Sequence, residues 1–191
     1  MKKKEPFIKR LFKGWGYFIV GFIMNTWFCT VMITQMPKIL LLRLLVGAAA
    51  LFIINGLHFN YAYNAAKLDR DLIRYHNMKK DSRMSLKLAL LVPMYSYVCY
   101  IILFIAKLGL FSGTHFGEYA FNYYILTNIH TLPWVSAVTD GRTMEYLSWG
   151  GMFGLLIIVL IQPAVIVLTY ELTLRDIDLS HILMYGKKKS K

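Results

Sequence analysis

The sequence predicts an all-α, polytopic membrane protein with four transmembrane helices and an interfacial or re-entrant segment on the outer side. Hydrophobic residues make up 57% of the 191 residues, and several apolar runs are long. A helix of about 20 apolar residues is needed to cross a bilayer core about 30 Å thick. Inside lipid the backbone must satisfy its own hydrogen bonds, so a helix is the default spanning structure. The alternation of period two that is typical of membrane β-barrels is absent from the sequence.

Four apolar runs are predicted to span the membrane, and they form a single membrane domain. The predicted spans are about Gly14–Met36, Ile39–Tyr63, Leu86–Ala106 and Ser148–Tyr170. Pro93 lies inside the third run, where its missing backbone N–H is expected to kink the helix. The stretches outside the spans are a basic N-terminal arm (1–13), a charged loop (64–85), an aromatic outer loop (107–147) and a basic tail (171–191).

The basic residues predict the orientation of the chain. The arm, the charged loop together with the adjoining Lys87, and the tail hold 18 of the 22 Lys and Arg residues. The positive-inside rule therefore predicts a multi-pass cell-membrane protein with both termini in the cytoplasm. The basic residues that give the chain its net charge of +12 lie beside apolar runs. This placement favours anionic lipid head groups on the cytoplasmic side as partners and argues against nucleic acid.

The segment Tyr119–Val138 is apolar enough to resemble a fifth span, yet it is rich in aromatic and polar residues. Asn122, Asn128, His130 and Pro133 interrupt it. We therefore expect it to lie in the outer interface or to dip into the membrane and return. A fifth span, which remains an alternative, would place the lysine-rich tail outside the cell.

The sequence contains no recognisable catalytic or cofactor motif. It has no HExxH, Walker or GxGxxG pattern and no nucleophile motif. The two cysteines, Cys29 and Cys99, both lie inside apolar runs and have no metal-ligand spacing. We therefore predict no catalytic residue, no metal and no cofactor.

A set of polar residues is predicted near the middle of the spans. It consists of Asn25, Asn55, Ser96, Tyr97 and Gln162. Polar side chains are costly in lipid, so these are expected to face the interior of the bundle. They could form a small polar site for a ligand or ion, or they could hydrogen-bond between helices and hold the bundle together.

A second polar set is predicted at the inner interface. It consists of His58, Asn60, Tyr61 and Glu171. A histidine beside a carboxylate could act as an acid–base pair. Hydrogen bonding of His58 to a lipid head group is the commoner role of an interfacial histidine and remains the alternative.

Several short motifs resemble a family of small, uncharacterised four-span membrane proteins of low-GC Gram-positive bacteria. The motifs are Asp69-Arg70-Asp71-Leu72-Ile73-Arg74-Tyr75, Lys107-Leu108-Gly109, Leu132-Pro133, Asp176-Ile177-Asp178-Leu179, and Tyr185 with the lysine tail. The resemblance implies the four-span topology. It implies no activity, substrate or cofactor.

The preferred functional hypothesis is a non-enzymatic membrane protein that acts as an accessory or structural subunit of a larger complex. Its expected partners are membrane lipids and either other membrane proteins or further copies of itself. The first alternative is a small transporter or ligand-binding membrane protein that uses the midplane amides. The second is an enzyme that acts on lipid at the inner interface through His58 and Glu171.

Overall fold

A computed structural model describes residues 5–35, 39–110, 115–139 and 146–175 of the chain. The helices in these ranges are α1 (Phe7–Gln35), α2 (Leu40–His76), α3 (Met84–Leu91), α4 (Met94–Lys107), α5 (Phe116–Thr127), α6 (Leu132–Thr139) and α7 (Trp149–Leu174). A 3₁₀ turn, Ile129–Thr131, joins α5 to α6. Within the described ranges every regular element is helical, as the sequence predicts.

Three of these helices are long and apolar enough to cross a membrane. They are α1, α2 and α7, and the bent pair of α3 and α4 passes the same test when it is taken as one broken span. The chain is therefore an all-α, multi-pass membrane protein. The helices extend beyond the predicted spans: α1 begins at Phe7 within the basic arm, and α2 continues to His76 through much of the charged loop.

The third span is broken at Pro93, as the sequence predicts. The axes of α3 and α4 differ by 54°. Since Pro93 has no N–H, it cannot donate to the carbonyl of Ala89, and the hydroxyl of Tyr97 donates to that oxygen instead, at 2.8 Å. The Trp15 indole donates to the neighbouring carbonyl of Leu91 at 3.0 Å. Side chains therefore satisfy the backbone groups that the break exposes.

Helix α2 lies at the centre of the bundle and packs against α1, α6 and α7. Glycines on α1 allow the close approach of α1 to its neighbours. A Cβ at Gly21 would lie 2.5 Å from Ile54 of α2, and one at Gly14 would lie 2.5 Å from Val92. These contacts fix α1 and α2 antiparallel, with Gly14 beside Tyr61 and Gly21 beside Ile54.

The segment from α5 to α6, here called the hairpin (Phe116–Thr139), enters the bundle and returns. Along the hairpin, Ile129 packs with Ala50 of α2, and Trp134 lies beside Gly47. Further on, the carbonyl of Ser136 accepts a hydrogen bond from Arg43 at 2.6 Å. Successive hairpin residues therefore contact successively earlier residues of α2. The hairpin thus returns toward the end where α2 begins. With 12 and 8 residues, α5 and α6 are both too short to span a bilayer.

Candidate functional site

The turn of the hairpin carries polar residues into the interior of the bundle. Asn128, His130 and Thr131 are all buried. The Thr131 hydroxyl donates to the carbonyl of Asn128 at 2.7 Å, and the Asn128 amide donates to the carbonyl of Tyr124 at 3.3 Å. The side-chain oxygen of Asn128 has no partner within the described part of the chain. The turn is therefore closed by its own hydrogen bonds and still presents a free acceptor.

The hairpin turn meets α7 through a side-chain hydrogen bond. The Nε2 atoms of His130 and Gln162 lie 2.9 Å apart, and both side chains are buried. Gln162 lies at the middle of α7 and precedes Pro163, which removes one hydrogen bond from the helix at this level. The side-chain oxygen of Gln162 has no partner among the described residues.

His58 of α2 lies at the same level as Gln162. Helices α2 and α7 pack side by side, and Ala62 and Ile166 belong to one packed cluster. Because His58 and Gln162 each lie one turn earlier, we infer that they are at a similar level of the bundle. His58 stacks on Phe18 with ring centroids 6.2 Å apart and is close enough to interact electrostatically with His130. Neither ring nitrogen of His58 has a partner in the described ranges.

Asn25 of α1 completes this group of residues. It lies between Gly21, which faces Ile54, and Cys29, which packs with Ala50 and the hairpin residue Ile129. Its side chain is fully buried, and neither its nitrogen nor its oxygen finds a partner among the described residues. Asn25 therefore faces the helix and the hairpin turn that carry the other polar groups.

We call this group the central polar site and define it by Asn25, His58, Asn128, His130 and Gln162. Its side chains are amides and imidazoles, which offer both donors and acceptors for hydrogen bonds. Across the described ranges no three His, Cys, Asp or Glu residues are grouped so that they could hold a metal ion. The site is therefore suited chemically to hydrogen bonding, and each buried group left unpaired costs about 1–3 kcal/mol.

Two of the five predicted midplane residues, Asn25 and Gln162, belong to this site. Asn55 is half-buried and donates to the carbonyl of Leu51 in its own helix at 2.8 Å, while its side-chain oxygen has no partner among the described residues. Tyr97 supports the break at Pro93. Ser96 of α4 is fully buried, and its hydroxyl is without a partner in the described part of the chain.

The predicted interfacial set is dispersed. His58 is fully buried in the bundle, so its imidazole is not exposed to a lipid head group. Glu171 accepts hydrogen bonds from Ser85 at 2.8 Å and Lys80 at 3.0 Å. It lies nine residues beyond Gln162, about 13 Å along α7. His58 and Glu171 therefore do not form an acid–base pair.

The other two members of the interfacial set have local roles. Asn60 is exposed, and its side-chain oxygen accepts from the amide of Asn64 at 2.9 Å. The Tyr61 hydroxyl donates to the backbone carbonyl of Arg10 at 3.0 Å. Tyr61 thus joins α2 to α1 instead of contributing to a reactive site.

A buried ion pair that the sequence analysis missed joins α1, α2 and α7. Arg10 donates to both carboxylate oxygens of Asp69 at 2.6 Å, and the Tyr170 hydroxyl donates to the same carboxylate. The Arg10 side chain is only 1% exposed. In the sequence both residues look like the ordinary charged residues that flank a membrane span. No local pattern therefore showed that they form a buried pair.

The end of the bundle that carries this ion pair is here called the basic end. Lys9, Lys13 and Lys80 also lie there. Lys13 donates to Glu5 at 2.6 Å, and this hydrogen bond lowers the pKa of the Glu5 carboxyl below its usual value. Glu5 is therefore charged at neutral pH.

No protein-family model, curated protein or solved structure matches this chain in comparisons with known proteins. The resemblance to small four-span proteins of low-GC Gram-positive bacteria stays a prediction. Of the motifs that carry it, the one that begins at Asp69 includes a carboxylate of the buried ion pair. The motif that begins at Asp176 and the lysine tail lie outside the described residues.

Proposed function

We propose that the chain is a non-enzymatic membrane protein that binds a small, uncharged polar solute in the central polar site. This is the transporter or ligand-binding alternative that the sequence left open. The observation that carries the proposal is a set of buried hydrogen-bonding atoms without partners among the described residues. They are both amide atoms of Asn25, both ring nitrogens of His58, and the side-chain oxygens of Asn128 and Gln162.

Unpaired polar atoms favour a binding site over simple interhelical hydrogen bonding. Buried polar groups in proteins almost always have partners, and amides that hold helices together would be bonded to each other. Here His130 and Gln162 are bonded to each other, whereas Asn25 and His58 present all their polar side-chain atoms unpaired. A bound solute or ordered water would supply the missing partners.

The composition of the site defines the class of solute. It contains no carboxylate, lysine or arginine, so a fully charged ligand would lack a counter-ion in a low-dielectric environment. Amide and imidazole groups together suit a neutral molecule that both donates and accepts hydrogen bonds. The irregular backbone at the hairpin turn and at Pro163 is also typical of membrane proteins that bind solutes near the midplane.

Replacing Asn25 by leucine tests whether its amide is unpaired. In the solute-free protein we expect Asn25→Leu to leave the stability unchanged or to raise it, because an unpaired buried amide contributes nothing favourable. Thermal unfolding in detergent measures this. The control is Tyr100→Phe, which removes the hydrogen bond from the Tyr100 hydroxyl to the carbonyl of Met152, and a loss of about 1 kcal/mol is expected. A larger loss for Asn25→Leu than for Tyr100→Phe would show that Asn25 is structural and would contradict the proposal.

Solute entry is tested with proteoliposomes. Stopped-flow light scattering with urea and glycerol as probes reports the permeability of vesicles that contain the wild-type protein or Gln162→Leu. We expect the wild-type protein to raise the permeability to at least one probe above that of empty vesicles, and Gln162→Leu to remove the increase. If vesicles with the wild-type protein are no more permeable than empty vesicles, and Asn25→Leu also destabilises the protein, the proposed function is refuted.

A second candidate function is a subunit of a larger membrane complex or a homo-oligomer. It is supported by an exposed hollow of about 420 Å³ on the outside of α4 and α5, whose lining includes Ile102, Asn122 and Leu126. The Asn122 side chain is exposed there among apolar residues, and an amide facing lipid is costly unless a partner helix bonds it. Native gels after mild solubilisation test this candidate, and a strictly monomeric protein would count against it.

We further propose that both termini lie in the cytoplasm and that the protein resides in the cell membrane. The basic end of the bundle, where α1 begins and α2 and α7 end, would then face the cytoplasm. The exposed lysines at this end would attract anionic lipid head groups. Nucleic acid is not a proposed partner.

A further inference from the structure

A second cavity lies at the basic end, between the first turns of α1 and the later part of α2. We call it the α1–α2 cleft. Its volume is about 470 Å³, and its lining includes Glu5, Arg10, Lys13, Asn64 and Leu68. Cavities of this size hold small molecules or head groups. It shares no residue with the central polar site.

Arg10 contributes to the lining of the cleft, but its charged group is buried behind the wall. Arg10 is 1% exposed, and the bidentate contact with Asp69 holds its guanidinium group. The Nε–H of Arg10 has no acceptor within the described ranges, but this atom is buried and does not open into the cleft. Lys13 and Glu5 are therefore the charged groups of the lining that a ligand can reach.

The rim of the cleft carries an ion pair that can change partners. The Lys13 ammonium donates to Glu5 at 2.6 Å, and the Lys13 side chain is 56% exposed. Exposed ion pairs of this kind contribute little stability. A ligand that brings one negative and one positive group could therefore bind Lys13 and Glu5 separately at little cost.

The cleft lies where a membrane protein meets lipid head groups. Tyr17 and Tyr61 line it together with Ala65 and Leu68, so aromatic and apolar walls adjoin the charged rim. Aromatic rings favour the head-group level of a bilayer. An occupant with a polar head and an apolar body matches this arrangement.

We propose that the α1–α2 cleft binds a zwitterionic phospholipid whose head group carries a phosphodiester and a primary ammonium. The phosphate would accept from Lys13, and the ammonium would donate to Glu5. The Arg10 charge is already balanced by Asp69, so the remaining pair of Lys13 and Glu5 complements a zwitterion better than a net anion. The inference does not rest on the solute site.

Native mass spectrometry of the purified full-length protein tests the proposal, with phosphatidylethanolamine and phosphatidylglycerol as the added lipids. We expect the wild-type protein to bind phosphatidylethanolamine more tightly. Lys13→Gln should weaken that binding about tenfold, because a charge-assisted hydrogen bond is lost. The control is Lys87→Gln, which removes a half-exposed lysine at the basic end that does not line the cleft, and it should bind like the wild type.

A further variant tests the role of the carboxylate. Glu5→Gln should reduce the preference for phosphatidylethanolamine over phosphatidylglycerol, because the acceptor for the ammonium is lost. Equal binding by Lys13→Gln and Lys87→Gln, or equal binding of the two lipids by the wild type, would overturn the proposal. If soluble phosphoethanolamine displaces the bound lipid, the natural ligand is the free head group and the proposed lipid ligand is refuted. Asn25→Leu should keep lipid binding, so this outcome is separable from that of the solute site.

Discussion

The side chain of Arg10 is a charge buried at the start of a membrane helix. Burying a charge is costly unless it is paired and hydrogen-bonded. Asp69 supplies two hydrogen bonds, and the Tyr170 hydroxyl donates to the same carboxylate. Removing one member of such a pair leaves an uncompensated charge, so these residues tie the ends of α1, α2 and α7 together.

We predict that Asp69→Asn lowers the stability of the protein by about 3–5 kcal/mol, the usual cost of breaking a buried pair. Thermal unfolding in detergent measures the change. Asp71→Asn is the control, because Asp71 is half-exposed and 3.7 Å from Arg70, a pair of the kind that contributes about 0–1 kcal/mol. Equal effects of the two variants would show that the Arg10–Asp69 pair is not the link between the helices.

The hairpin and α2 pack closely because α2 has no side chain at one position. A Cβ at Gly47 would lie beside Nε1 of Trp134, closer than real Cβ contacts come. Arg43 adds a hydrogen bond to the carbonyl of Ser136 near the end of α6. Gly47 is thus the position on α2 where α6 docks, and Ala50, one turn later, packs with Ile129 of the hairpin turn.

Gly47→Ala should destabilise the protein by about 1–2 kcal/mol, since overpacking outweighs the gain in helix propensity. Gly56→Ala on the same helix is the matched control. A Cβ at Gly56 meets no other atom within 4 Å, so this change should be neutral or stabilising by up to about 1 kcal/mol. If the two variants unfold at the same temperature, α6 does not dock on Gly47.

The sequence predicts the helices better than it predicts their contacts. Apolar runs predict the spans and Pro93 predicts the break, because hydrophobicity and a missing N–H act locally. His130 and Arg10 were not recognised as functional or structural residues. Their roles depend on Gln162 and Asp69, which lie 32 and 59 positions away in the chain. Only the folded arrangement brings such pairs together.

The whole molecule is a bundle in which the hairpin enters and leaves at the end opposite the basic end. Arg10 near the start of the chain and Tyr170 near the end of α7 bind the same carboxylate, so they lie on one side. Four crossings, with α3 and α4 taken together as one broken span, agree with this arrangement. The proposed topology then requires that the chain does not cross the membrane between Phe116 and Thr139.

Paired topology reporters test this central claim most directly. Alkaline phosphatase, which is active only outside the cytoplasm, is fused either after Leu110 or after Lys191 in otherwise identical chains. The account predicts activity for the fusion after Leu110 and none for the fusion after Lys191, because the hairpin returns to the side from which it entered. High phosphatase activity for both fusions would show that the hairpin crosses the membrane, and it would contradict the central polar site as described.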